Sequence, residues 1–228
     1  MARKSRSAGI VEDESESKSA RTRARILDAA AKVLSQKGYA GTRLSDVAAQ
    51  AEIQAPAIYY YFPSREDLIE AVMFSGIDEM GRYLRQVLDA LPAETSPMDR
   101  IMAAVEAHLR HELELSDYAT ASIRNAGQVP AELSERQRKA EARYARIWGQ
   151  LFDDARADGQ LRAELEPRVA QLLVMGALNW SAEWWDPRRG SVDAIVRNAQ
   201  VLVRNALEPA KPRSTARRKR ASAATRRG

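Results

Sequence analysis

Helix-breaking residues cut this chain into segments, and nearly every segment between them repeats its apolar residues with a helical period. No stretch alternates apolar and polar positions over a strand's length. The breaks fall at Gly38, Pro56, Pro97, Pro130, Gly159, Pro167 and the pair Pro187 and Gly190. Ile26, Ala30, Val33 and Leu34 share one face of the first segment, which Gly38 is placed to end. A short second helix spans about 42–50, with Leu44, Val47 and Ala48 inward, and a third spans about 56–61 with Pro56 in its first turn. Ser64 caps a fourth helix, with Glu66 and Asp67 at its positive end, and Ser96 with Pro97 opens a fifth. Further helices are expected over about 117–126, 130–157, 167–185 and 191–206. The fold class is all-α, with about nine helices. Ala, Leu, Arg, Glu and Gln are abundant and β-branched residues few, which agrees.

The absence of cysteine excludes disulfides, thiolate metal sites and thiol nucleophiles. The first residues lack the apolar core of a signal peptide. The longest apolar run, Leu172 to Leu178, is far short of the ~18 residues that cross a bilayer. These features point to a cytoplasmic protein with no membrane partner. No nucleophile–base pair, metal cluster or Gly-rich phosphate loop is apparent, so an enzyme is not expected.

The net charge of +5 is unevenly spread. Residues 1–19 are Ser-rich, balanced in charge, and expected to be a disordered arm. Residues 20–67 carry seven basic and five acidic side chains, whereas 68–208 are net acidic. Residues 209–228 hold eight basic residues and no acid, and are expected to form a disordered basic tail. A polyanion partner is implied for the first folded part, and the tail could add salt-sensitive DNA affinity or only solubility.

Two short helices joined by a tight turn, after a longer helix, make a helix-turn-helix candidate. Its second helix lies in "PAIYYYFPSRE". Ile58 and Phe62 are four apart and anchor it, with Ile53 in the turn adding to the same face. Tyr59, Tyr60 and Tyr61 fan over the rest. Either they pack the module against the fourth helix, or they present apolar rings to bases and hydroxyls to phosphates.

The stretch "RILDAAAKVLSQKGYAGTRLSDVAAQAEIQAPAIYYYFPSREDLIEAVM" resembles the DNA-binding domain of TetR-family transcriptional regulators over residues 21 to about 73. Its "IYYYFPSREDL" is similar to the family's Leu-Tyr-x-His-Phe-x-x-Lys-x-x-Leu. The resemblance implies an N-terminal three-helix DNA-binding domain over 20–66 and a C-terminal ligand-binding and dimerisation domain over 67–208. It implies base and phosphate contacts from Ala55, Pro56, Ala57, Tyr59, Tyr60 and Tyr61, with Arg65 at the family's phosphate-binding lysine. Thr42, Arg43 and Ser45 open the second helix, where backbone contacts are common. Arg21, Arg23 and Arg25 could reach the backbone or a minor groove. Three departures stand out. Tyr61 replaces a frequent histidine, Gln54 a frequent Ser or Thr cap, and Glu52 a turn glycine, so a left-handed residue there must do without Gly.

The remaining half holds three of the four tryptophans in "VMGALNWSAEWWDPRRG". Trp180 and Trp184 lie four apart, and Trp148 precedes them on the long helix. They can line a cavity for a flat or long apolar ligand, or pack a core. Phe152, Met175 and Asn179 belong to the same candidate site, as do Arg124 and Asn125, which in similar regulators lie near the ligand. The pattern is similar to TetR-type regulators that sense acyl-CoA thioesters of lipid or steroid breakdown. Arg188 and Arg189, after Asp186, could meet a coenzyme A phosphate or simply be solvated. His108 and His111 are three apart but lack a clear carboxylate partner, so no metal is expected. No cofactor is called for beyond a small-molecule effector.

The resemblance makes the last two long helices the dimerising pair. Leu172, Met175, Gly176 and Ala177 face Ile195, Ala199, Leu202 and Val203, either across a two-fold or within one chain. The function expected is a homodimeric repressor released from a palindromic operator by its effector, with helix 4 transmitting the change. Two alternatives remain: a drug-sensing repressor of an efflux pump, which an acidic pocket residue such as Glu183 would favour, and an architectural DNA-binding protein without effector.

Overall fold

The computed structural model describes residues 5–128, 135–188 and 190–210, with side chains from Lys18 onward. Among the described residues every regular element is helical. In chain order they are α1 (Ser5–Gly41), α2 (Leu44–Gln50), α3 (Ala55–Ile58), α4 (Arg65–Asp89), α5 (Pro97–Arg110), α6 (Asp117–Arg124), α7 (Glu135–Ala157), α8 (Pro167–Asn179), α9 (Ser181–Trp184) and α10 (Val192–Leu207). All nine expected helices are present, and the eighth is in two pieces, α8 and α9, parted at Trp180.

The caps explain most boundaries. Gly38 leaves the helical region at φ 69°, so the regular part of α1 stops where the sequence placed its end. The hydroxyls of Ser64, Ser96, Ser116 and Ser191 accept the backbone N–H three residues on, at the starts of α4, α5, α6 and α10. The Glu166 carboxylate does the same for α8 from the N–H groups of Arg168 and Val169. One boundary differs. The first helix, expected from about Ala20, is assigned from Ser5, and residues 1–4 lie outside the described residues. No proline, and no glycine after Gly9, interrupts the chain before Gly38, so nothing stops the helix from extending backward. The basic tail lies outside the described residues except for Pro209 and Ala210.

Two cores form. Ile26, Leu34, Val47, Ile58, Phe62, Leu68 and Met73 fill the first, under α1 to α3. Met80, Leu84, Ile101, Val105, Trp148 and Phe152 fill the second. Helix α4 contributes its first turns to one and its later turns to the other, so it belongs to both. Helix α6 packs across α4 at Gly76, where an added Cβ would sit 2.2 Å from the Tyr118 carbonyl oxygen. Only glycine permits that approach. Past Arg110 the fifth helix widens into a π-helical turn, His111–Leu115, before Ser116 restarts the chain as α6.

Candidate nucleic-acid interface and effector groove

The helix-turn-helix forms as local chemistry dictates. The end of α2 is closed by two backbone bonds, Ile53 N–H to Ala48 O and Glu52 N–H to Ala49 O. This closure requires a left-handed residue at position 52, and Glu52 adopts φ 54°. It is the sole non-glycine with positive φ among the described residues. Gln54 provides no side-chain cap to α3. That helix is a single regular turn, continued to Phe62 by tighter turns in which Tyr60 and Tyr61 donate to Ala57 and Ile58.

Ile58 and Phe62 are buried, as their spacing requires. Tyr59 and Tyr60 project outward, 58% and 82% exposed. Pro56 and Ala57 are exposed beside them, and Ala55 is half-buried. Tyr61 differs from the row's simplest reading. It is half-buried against the N-terminal core, edge-on to Tyr60 with ring centroids 5.0 Å apart. Arg43 and Ser45 are exposed at the start of α2, but Thr42 is turned inward, its hydroxyl donating to Gly38 O at 2.7 Å. Arg65 is also engaged within the fold. It donates to Thr42 O, Tyr39 O and the Glu66 carboxylate, and its guanidinium lies over the Tyr39 ring. Arg21, Arg23 and Arg25 are all exposed, but Arg23 lies over Phe62 and Arg25 donates to Ala51 O. The basic residues of this unit therefore divide. Arg21 and Arg43 face solvent without a partner of this kind, while Arg25 and Arg65 hold the helix-turn-helix to its neighbours.

In the second half, a groove of about 650 Å³ opens between α8, α9 and α10. Its floor is the buried Leu109, Leu178 and Ser181, and its rim includes the exposed Trp184, Asn198 and Leu202. Of the eight candidate ligand residues only Trp184 lines it. Trp148 and Phe152 are fully buried in the core, because α7 is packed by α4, α5 and α8. Met175 and Asn179 are half-buried, and Trp180 is exposed, away from the groove. The candidate dimer residues Ile195, Ala199 and Leu202 line the same groove, while Leu172 and Gly176 are exposed on α8. Asp186 lines the mouth and is paired with Arg188 at 2.9 Å. Arg189 lies outside the described residues.

Arg124 and Asn125 lie elsewhere, at the junction of the two halves. Arg124 donates to Ser35 O in α1 and twice to Ala182 O in α9. Asn125 accepts from the Tyr39 N–H at 2.6 Å and donates to Ala121 O. No spacing in the sequence signals the bonds to Tyr39, Ser35 and Ala182, because those backbone groups lie far along the chain.

A buried polar cluster also went unread. His108 lies 3.2 Å from the Glu112 carboxylate and 2.8 Å from the Tyr144 hydroxyl. Glu112, in the π-helical turn, is a carboxylate partner for His108. Burial pushes its carboxyl above the usual range, against the pull of His108, the Ala182 amide and Arg124. His111 turns toward Tyr83, and burial, helped by His108 and Arg82, lowers its imidazole to about 4. Among the described residues no group of three acidic or imidazole side chains is placed to hold a metal ion. No described helix is long and apolar enough to cross a membrane.

An anchored helix-turn-helix with an aromatic outer face, carried on a helical body with an apolar exposed flank, defines a DNA-binding regulator. Residues 26–72 match the family model for bacterial regulatory proteins of the tetR family, and residues 94–207 match the tetracyclin repressor-like C-terminal domain. The chain belongs to the TetR family of bacterial regulatory proteins. It is 33% identical to a solved transcriptional regulator of the TetR/AcrR family from Thermobifida fusca, covering 80% of this chain and 96% of that one, with a TM-score of 0.61. It is 21% identical to the fatty acid metabolism regulator protein of Bacillus subtilis, over 78% of this chain and 90% of that protein. The fold also matches AibR, solved in complex with isovaleryl coenzyme A and operator DNA, at a TM-score of 0.71 and 19% identity, covering 79% of this chain and 97% of that one.

Proposed function

We propose that this chain is a cytoplasmic, non-enzymatic repressor that holds a palindromic operator as a homodimer and leaves it when an acyl-CoA thioester binds. The observation that carries the DNA-binding part is the split of α3. Ile58 and Phe62 bury one side while Tyr59 and Tyr60 stand out on the other, with Arg43 and Ser45 exposed nearby. Tyrosine hydroxyls and arginine forks there suit phosphates, and Pro56 and Ala57 suit thymine methyls.

The apolar face of α8 and α10 supports the dimer. Leu172, Leu173, Val201 and Leu202 are large, apolar and exposed. A Cβ on Gly176 would meet nothing within 4 Å in one chain, so the monomer's own packing does not call for glycine there. A second copy approaching closely would. Such a copy would also roof the groove, whose rim shares Leu202 with this face.

The acyl-CoA assignment rests on the groove's apolar floor and charged mouth, and on the likeness to AibR and the Bacillus regulator. A floor of Leu109 and Leu178 suits an acyl chain, and Arg188, exposed outside the groove on its pair with the mouth residue Asp186, suits a phosphate. The drug-sensing alternative loses support. Glu183 does not line the groove, and the acidic residue that does, Asp186, is already paired with Arg188. A gel shift on the chain's own promoter tests the reading. A panel of acyl-CoA thioesters should release the protein, and retention of the shifted band with every chain length would rule the effector class out.

A further inference from the structure

Among the described residues, Arg124 makes a direct polar connection between the groove wall and the DNA-binding unit. Ala182 sits in the middle of α9, between the groove-lining Ser181 and Trp184. Its carbonyl receives both Nε and Nη2 of Arg124, the first at 2.9 Å. The remaining arm, Nη1, donates to Ser35 O in α1 at 2.8 Å. Ala182 and Ser35 are both buried, so neither carbonyl has water as a substitute partner. A guanidinium is planar and its donors are fixed in a fork. Bound at both ends, it cannot follow a shift of α9 away from α1 without losing one carbonyl or dragging the other.

What surrounds the link makes it the point of transmission. Helix α6, which carries Arg124, is fastened to α1 in three further places. Ser35 Oγ donates to Asp117, Tyr118 OH donates to Asp28, and the Tyr39 N–H donates to Asn125. Against α4 it has no freedom to close in, because Gly76 already meets the Tyr118 backbone. Helices α1, α4 and α6 thus form one tight block. The groove wall α9 is a single turn, flanked by Trp180 and by the loop from Trp185. Its carbonyl at Ala182 is the groove-wall group held by this block.

We propose that Arg124 is the positioning residue through which occupancy of the α8–α10 groove is felt by the DNA-binding unit. An effector that moves α9 pulls on Ser35 and so on the end of α1, against which the helix-turn-helix is set. This rests on the groove being the effector site, yet it can be tested without an effector. Coupling is reciprocal, so DNA binding must alter α9 as much as the effector alters DNA binding.

The experiment is hydrogen exchange on the full chain, with and without a duplex selected by the protein from a random-sequence pool. In the unsubstituted protein, saturating duplex should change exchange in the 181–186 segment about fivefold, within the usual range of coupling. In Arg124→Gln the change should vanish although the duplex is bound. Arg124→Lys, which keeps the charge but lacks the planar fork that spans the two carbonyls, should retain part of it, and serves alone if the glutamine variant does not fold. An equal change in these variants, or none in the unsubstituted protein, overturns the proposal. A second arm uses isovaleryl- and decanoyl-coenzyme A. A thioester that releases the unsubstituted protein should bind Arg124→Gln with similar affinity and fail to release it, and equal release counts against the link. If neither releases the unsubstituted protein while the exchange arm is positive, the effector assignment fails and the link stands.

Discussion

The two halves of this molecule each bury some aromatic residues and expose others, but they sort them by different means. In the DNA-binding unit a run of three tyrosines on one short helix turns from exposed Tyr59 and Tyr60 to half-buried Tyr61. In the body, Trp148 is fully buried while Trp184 is 54% exposed on the rim of the groove. The first split follows from a single helical turn, because Ile58 and Phe62 decide which side is inside. The second depends on which helix each tryptophan rides on. Helix α7 is surrounded by other helices, and α9 stands at the surface. Helical spacing gives the face of a side chain relative to its own helix, but only neighbours say whether that face is covered.

The largest test of that contrast is Trp148→Ala. It should destabilise the fold by about 3–5 kcal/mol, as large core truncations do, whereas Trp184→Ala should leave the urea midpoint nearly unchanged and instead weaken thioester binding. Comparable losses of stability from both would erase the distinction between core and rim.

The buried polar cluster gives the next effect. His111 has a folded-state pKa lowered to about 4, from 6.5. Between those values the unfolded chain binds the proton and the folded chain does not, so stability rises with pH there and is lost on acidification. Glu112 acts with the opposite sign. Its raised carboxyl keeps a proton when folded, so its contribution is lost as pH rises from the ordinary carboxylate value toward the raised one. His111→Asn should therefore flatten the acid side of the stability profile. An unchanged slope of melting temperature between pH 6.5 and 4 would contradict the assigned burial.

On the DNA side, the paired change Tyr59→Phe and Tyr60→Phe should cost about 2 kcal/mol of operator affinity, the scale of two hydrogen bonds to charged acceptors. Melting temperature should not move, because neither hydroxyl is committed inside the fold. Intact affinity would mean that these hydroxyls do not meet phosphates. The smallest effect is a gain: Glu52→Gly should stabilise the unit by about 1 kcal/mol, by relieving a left-handed side chain. A loss on thermal denaturation would show that the Glu52 side chain contributes more than its backbone costs.

Legibility follows the range of the interactions involved. The caps at Ser64 and Ser96, the break at Gly38, the anchors Ile58 and Phe62 and the left-handed position at 52 all depend on residues within one or two turns. All were readable. Arg65 and Thr42 were read as DNA contacts from their place in the motif, but the carbonyls they serve, of Tyr39, Thr42 and Gly38, belong to a turn whose path the motif does not specify. Arg124 and Asn125 read as ligand contacts from the resemblance, and within the fold they bond backbone groups of α1, α6 and α9. The pairing of His108 with Glu112 is four residues apart and was open to inspection. Its burial was not, since that requires α7 to bring Tyr144 and Trp148 against it.

By itself the sequence determined the helical class, the positions of the caps and breaks, and the helix-turn-helix with its anchored recognition turn. Helix propensity, capping and the 3.6-residue period act between near neighbours, and near neighbours are what a sequence lists in order. Only the tertiary structure decided that Trp148 is core and Trp184 is rim, that the groove and the exposed apolar flank share α10, and that Arg124 joins the two halves. Each of these depends on backbone groups and helix surfaces brought together from distant parts of the chain, and no local pattern encodes the carbonyl an arginine will meet.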